Sequence, residues 1–241
     1  MTIEIDGLTK QYKEHVVVDQ LSLNIKMGEF FALLGQNAAG KTTTIKMLCG
    51  LLSPTAGDAL LDGESIVHHQ VAAKKKLNIS PQETAVAPNL TVFENLLLMG
   101  RIYGCSKTEA KKRASAQMNL FGLTPRQSNK AKTLSGGYKR RLSVAMAMMS
   151  NPKILFLDEP TLGMDVRARR DLWKILNQLK GQVTIVLTTH YLEEVEMLAD
   201  RVGIMHRGRL RTLGTVQQLK HETKKNSLED VFLELTEEGA L

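Results

Sequence analysis

Gly35-Gln36-Asn37-Ala38-Ala39-Gly40-Lys41-Thr42 is the stretch that decides the fold of this chain. Two glycines five residues apart, the second followed at once by lysine and threonine, have the spacing of a phosphate-binding loop. The surroundings agree, because the apolar run Phe30 to Leu34 predicts a buried strand that stops at Gly35, and Thr43 to Leu51 predicts a helix. Chemistry explains the pattern. Consecutive backbone N–H groups and the positive end of a helix wrap phosphate oxygens, Lys41 adds charge, and Thr42 supplies a hydroxyl for Mg²⁺. The residues expected to hold a nucleotide here are Gly35, Gln36, Asn37, Ala38, Ala39, Gly40, Lys41, Thr42 and Thr43. A glycine-containing turn before a helix is the bland alternative, and the lysine and threonine in register weigh against it.

Further along, Ile154 to Leu157 and Val183 to Leu187 are short, nearly all-apolar runs of the kind buried on both faces of a parallel sheet. Asp158 and Glu159 follow the first of these, at a strand's carboxyl end, where open α/β sheets bind ligands. Asp158 is expected to hold Mg²⁺, and Glu159 to orient and deprotonate the water that attacks a γ-phosphate. Taken alone, such an acidic strand end is often just the start of a solvated loop. Beside a phosphate loop the catalytic reading gains weight. His190 ends the next strand, in Leu187-Thr188-Thr189-His190, and should reach the same sheet edge, although a lone histidine is usually structural.

A second anion-binding segment is Leu134-Ser135-Gly136-Gly137, small residues ahead of an apolar-patterned helix that begins near Tyr138. Lys139, Arg140 and Arg141 crowd that helix's positive end, which opposes the macrodipole and is easier to understand if an anion or acidic partner faces them. The plain alternative is a flexible turn followed by a solvated basic face.

Strand-like segments at Thr2 to Ile5, Leu21 to Ile25 and Asp58 to Leu61 surround the loop, giving an α/β core. Between Leu61 and Ile154 the chain reads as helix-rich. Thr91-Val92-Phe93-Glu94 and Ser106-Lys107-Thr108-Glu109 each read as a capping box opening a helix, so residues 84–150 are expected to form an inserted helical subdomain. Ser227 is expected to cap a last helix with apolar positions Leu228, Val231, Phe232 and Leu235, inside a C-terminal extension spanning 205–241. No secretory leader is legible at the start, and the longest apolar runs fall far short of the roughly 20 residues a membrane-spanning helix needs. Cys49 and Cys105 lie far apart and outside any metal-like or redox-like cluster, which fits a reducing compartment. The net charge of +7 suits nucleotide, nucleic acid or an anionic membrane face equally, and decides nothing.

With these segments read in order, the chain resembles the nucleotide-binding subunit of ATP-binding-cassette (ABC) transporters across nearly its full length. Gly35 to Thr42 looks like Walker A, Gln82 the Q-loop, Leu134 to Gly137 the signature, Ile154 to Glu159 Walker B, Leu162 to Asp165 the D-loop and His190 the switch histidine. The resemblance implies one ABC ATPase domain over 1–241: a P-loop NTPase core, an N-terminal antiparallel β subdomain and the inserted helical subdomain. It implies ATP and Mg²⁺ as ligands, with Thr42, Gln82 and Asp158 at the metal. Lys41, Glu159 and His190 would be catalytic, Tyr12 would stack on adenine, and Ser135, Gly136 and Gly137 would meet the nucleotide of a second subunit. It further implies transmembrane permease partners, a homodimer of ATP-binding subunits, peripheral attachment at the cytoplasmic face of the cell membrane, and no nucleic acid. Ser80 to Thr84, Tyr191 to Asp200 and Ser227 to Thr236 look most like ABC-2-type exporters.

Two residues depart from the family pattern. Ala38 stands where glycine is usual, and the loop is expected to keep a conformation alanine accepts, because a left-handed backbone there would cost about 1–2 kcal/mol. Tyr138 stands where glutamine or methionine is common. A soluble ABC ATPase acting on ribosomes or DNA is a competing reading, but neither a second cassette nor an interrupting coiled coil is visible. A regulatory module without turnover is another, against which Glu159 and His190 argue.

Overall fold

A computed structural model describes residues 1–237. Its elements run β1 (Ile3–Tyr12), β2 (His15–Ile25), β3 (Phe30–Gly35), α1 (Lys41–Leu48), β4 (Ala56–Leu61), β5 (Glu64–Ser65), α2 (Gln70–Lys74) and β6 (Leu77–Ser80). They continue with α3 (Val92–Ile102), α4 (Lys107–Leu120), α5 (Gly136–Met148), β7 (Ile154–Asp158), α6 (Val166–Gln178), β8 (Thr184–Thr189), α7 (Leu192–Leu198), β9 (Arg201–His206), β10 (Arg209–Gly214), α8 (Val216–Glu222) and α9 (Leu228–Thr236).

Two sheets form. One is antiparallel, in the order β2-β1-β4-β5; the other has the order β10-β9-β3-β8-β7-β6. In the second, β9, β3, β8, β7 and β6 pair in parallel, and β10 joins antiparallel at the edge. Alternation along the strands sorts the core into layers. Ile154 and Phe156 of β7 and Phe31 and Leu33 of β3 face the antiparallel sheet and α1. Leu155 and Leu157 of β7 face the opposite layer, with Leu96, Met118, Leu142 and Trp173 from the helices. A smaller third layer joins Ala32, Leu34 and Ile204 to α8 and α9 through Leu219, Leu228 and Val231.

The helix starts obey their local chemistry. Thr91 and Glu94 complete a reciprocal capping box on α3, whereas at α4 Ser106 accepts from the Glu109 N–H while the Glu109 carboxylate turns to Arg113 at 2.6 Å. Ser227 caps α9 through the Asp230 N–H at 3.0 Å. Of the expected C-terminal extension, residues 238–241 lie outside the described residues. The stretch expected to be helix-rich also holds the four-residue strand β6, the outer strand of the parallel sheet and the one that leads to Gln82. Its alternating Leu-Asn-Ile-Ser hides it, because Asn78 and Ser80 point inward to polar partners instead of to an apolar core.

Candidate active site

Parallel pairing brings the carboxyl ends of β3, β7 and β8 to one edge. Leu34 pairs with Thr189, and Asp158 with Thr188, so the residues that follow these strands emerge side by side. They open onto a cleft of about 490 Å³ whose walls include Asn37 to Thr43, Gln82, Glu159 and His190. Gly40 takes φ 102°, and a Cβ there would stand 2.7 Å from the Val17 carbonyl oxygen, so both conformation and space demand glycine.

Lys41 is buried and reaches back over the loop, its ammonium donating to the carbonyls of Gly35 at 2.7 Å and Gln36 at 3.1 Å. It also stands 3.5 Å from Glu159 Oε1. Burial pulls its pKa down, and the Glu159 and Asp158 carboxylates oppose that by favouring the ammonium. Thr42 donates its hydroxyl to Asp158 Oδ1 at 3.1 Å, and Thr188 donates to the same oxygen at 2.5 Å. Glu159 sits at φ 48°, fixed by its N–H donating to the Thr188 carbonyl at 3.1 Å. A non-glycine residue held at positive φ at a strand end is a strained placement that aims its side chain into the cleft. There Glu159 Oε2 meets His190 Nδ1 at 2.8 Å. The His190 ring in turn packs on Tyr191, centroids 4.1 Å apart, and Tyr191 lies under the Arg169 guanidinium.

The other expected site residues divide. Gly35 and Gln36 act through their carbonyls on Lys41. Tyr12, at the end of β1, is 48% exposed, lies under the Lys10 ammonium, and is absent from the cleft wall, which Val16 and Val17 complete instead. Ser135, Gly136 and Gly137 are also outside this cleft. Ser135 lines a separate hollow of about 250 Å³ with Arg126, Asn129, Thr133, Leu134 and Tyr138.

Two expectations need correction. Ala38 does adopt the left-handed region, at φ 65°, so the loop keeps the strained conformation despite the Cβ. The basic residues after the signature do not all await an anion: Arg140 is buried against its own chain's carbonyls, and Arg141 pairs with Asp171 at 2.9 Å while stacking over Tyr138. Sequence reading missed Val16, Val17, Arg207 and Gly208 on the cleft wall, whereas Leu162, which it named as the start of the D-loop, does line it. Arg207-Gly208 forms the turn between β9 and β10, and its glycine is the one local signal that could have pointed there; the valines carry no signal beyond a strand pattern. Among the described residues no three His, Cys, Asp or Glu side chains form a metal cluster, and no helix is long and apolar enough to cross a membrane.

The fold and the cleft define a phosphate-loop nucleotide-binding protein. Residues 18–162 match the family described as ABC transporter, and the chain belongs to that family. Linearmycin resistance ATP-binding protein LnrL of Bacillus subtilis is 41% identical over 218 residues, covering 90% of this chain and 70% of that protein. Daunorubicin/doxorubicin resistance ATP-binding protein DrrA of Streptomyces peucetius is 40% identical over 227 residues, 94% of this chain and 69% of that one. A solved post-hydrolysis dimer of an ATP-binding cassette with ADP and Pi superposes with TM-score 0.79 at 25% identity, covering 88% of this chain and 98% of that one. The chain is thus an ATP-binding, ATP-hydrolysing subunit of the exporter type.

Proposed function

We propose that two copies of this chain close head to tail on two ATP molecules and drive separate transmembrane permease subunits, each nucleotide lying between the cleft of one copy and the Ser135-Gly136-Gly137 helix start of the other. The observation that carries the catalytic part is Glu159, held between the Lys41 ammonium at 3.5 Å and His190 at 2.8 Å. In the free chain Lys41 leans on the loop carbonyls and Glu159. When the phosphates arrive, the ammonium turns to them and releases Glu159 Oε1 to accept a proton from the attacking water. His190 holds Oε2, fixing the carboxylate's direction and leaving its other ring nitrogen for the transferred phosphoryl group.

Mg²⁺ fits the donor set: the Thr42 hydroxyl and the Asp158 carboxylate are already neighbours, and Gln82 offers an amide oxygen on the same wall. Held by these residues, it would offset the negative charge of the phosphates. Tyr12 remains a candidate for the adenine through movement of the β1–β2 turn.

A dimer is supported by the dimeric state of the superposed cassette and by the separation of the Ser135 surface from the chain's own cleft. Work at the cytoplasmic face of a membrane, through a permease and without nucleic acid, is supported by the names of the resistance proteins and by the family. The cargo is proposed to be a compound whose export confers resistance, as the names of those two relatives indicate.

Glu159→Gln tests the chemistry. Turnover should fall by about 10²–10⁴ with ATP binding retained and an ATP-bound dimer accumulating on gel filtration. Turnover equal to wild type would remove Glu159 from the reaction.

A further inference from the structure

Arg140 is an arginine where one is hard to place, 5% exposed on the inner face of α5. Its two guanidinium nitrogens donate to successive carbonyls as the chain leaves the sheet after β6: Nη1 to Pro81 at 2.6 Å and Nη2 to Gln82. Those carbonyls have left the β-ladder and need donors, and a planar two-pronged donor satisfies both at once. Burial lowers the guanidinium's pKa, opposed by Asp158 and Glu194, but an arginine starts high enough to stay charged.

Arg140 is the top rung of a ladder. One turn on, Ser143 Oγ bonds Ser80 Oγ at 2.9 Å, both buried. Another turn on, Asn78 Nδ2 donates to the Ala147 carbonyl at 2.8 Å and to Ser150 Oγ at 3.1 Å. Positions 140, 143 and 147 lie on one helical face, so α5 and the strand leading to Gln82 are joined by polar contacts along their whole shared length. Such contacts are directional, which makes the pair move as one piece where an apolar interface would allow sliding.

The two ends of this piece lie at different hollows, which the proposed dimer gives to different nucleotides. Gln82 lines the chain's own cleft, while Ser135, five residues and roughly 7 Å up the helix from Arg140, faces away from it. We propose that Arg140 is a positioning residue that links the two nucleotide sites of the dimer, tying the Gln82 loop of one site to the helix that meets the nucleotide of the other. This rests on the composite sites proposed above. A nucleotide captured by the partner's cleft and touched by Ser135 shifts α5, and Arg140 passes that shift to Gln82 in its own cleft.

The test uses the full chain. In Arg140→Met, kcat should fall at least about tenfold with KM within about threefold, because Arg140 touches no nucleotide. Hydrogen exchange over residues 80–87 should speed up at least about tenfold, with residues 30–42 unchanged. Arg140→Lys, whose single ammonium replaces two aligned donors, should fall between, and it carries the test if the methionine variant does not fold. Ser143→Ala, one turn below the loop, should lower Tm with kcat within about twofold. The Gln82→Ala/Arg140→Met double variant should be no slower than Gln82→Ala alone. Unchanged exchange and kcat in the folded variants would overturn the link. So would a double variant whose loss multiplies the two single losses, with the reading of the site left intact. A silent Gln82→Ala would instead overturn the role of Gln82 in the cleft and the link with it.

Discussion

Two helix starts in this molecule carry small residues and an expected anion, and they are built differently. At the start of α1 the loop is wrapped by the chain's own side chains: buried Lys41 and Glu159 and half-buried His190 converge on one cleft, with Asp158 behind them on the Thr42 hydroxyl. At the start of α5, Ser135 and Gly136 are exposed, Ser135 makes no capping contact with its own helix, and two of the three cations that follow are engaged by their own chain. A helix N-terminus alone is a weak anion site; charge and enclosure make the first one strong. The comparison teaches that the first site is nearly complete within one copy, whereas the second has no converging set of buried charged side chains of its own. In the proposed dimer the second borrows the first site's enclosure from the partner.

The sharpest way to break this contrast is Ser135→Arg. It puts bulk on the open helix start and leaves the enclosed cleft untouched, so ATP affinity should stay within about twofold while turnover falls roughly 10–100-fold. A matching loss of ATP affinity, measured by calorimetry, would mean that the two helix starts share one site within a copy. A smaller effect sharpens the first loop. Because Ala38 is held at φ 65°, Ala38→Gly should relieve about 1 kcal/mol of strain and raise Tm by about 2–4 °C, with ATP affinity nearly unchanged. A lowered Tm would show that the loop is not strained there.

The smallest expected effect concerns Glu194, fully buried on α7 with Trp173 Nε1 donating to it at 3.0 Å. Burial raises its carboxyl above the ordinary 4.5, opposed by hydrogen bonds from surrounding side chains. Between that value and its raised one, the folded chain holds a proton that the unfolded chain releases. Its contribution to stability therefore falls as pH rises through that interval. Glu194→Gln keeps an acceptor for Trp173 and removes the titration, so the Tm difference between about pH 5 and about pH 8 should narrow. An unchanged difference would mean that Glu194 is not the group responsible.

Legibility in the sequence followed the range of the interactions. The phosphate loop, Asp158, Glu159 and His190 were readable because strand ends and a glycine-lysine-threonine spacing are local, and a parallel sheet then brings them together. The caps at Thr91, Ser106 and Ser227 were readable for the same reason. Strand β6 and the inward turn of Arg140 were not. A basic residue on a helix reads as surface, and only the partnership with carbonyls 58 and 59 residues away makes it core. The left-handed backbone at Ala38 was hidden too, because alanine gives no sign of the strain that its neighbours impose. Tyr12 shows the reverse case, where a local pattern names a residue whose position depends on a turn.

The claim that each site is shared between two copies can be tested by mixing. Lys41→Ala removes the ammonium from the enclosed cleft, and Ser135→Arg spoils the open helix start, so each variant alone should hydrolyse ATP at least about tenfold more slowly than wild type. In a mixed dimer one site inherits both defects and the other inherits neither. An equimolar mixture should therefore be clearly faster than either parent, up to a ceiling of roughly a quarter of the wild-type rate, since about half the dimers are mixed and each holds one intact site. A mixture as inactive as its two parents, with mixed dimers confirmed by mass, would contradict the shared-site account.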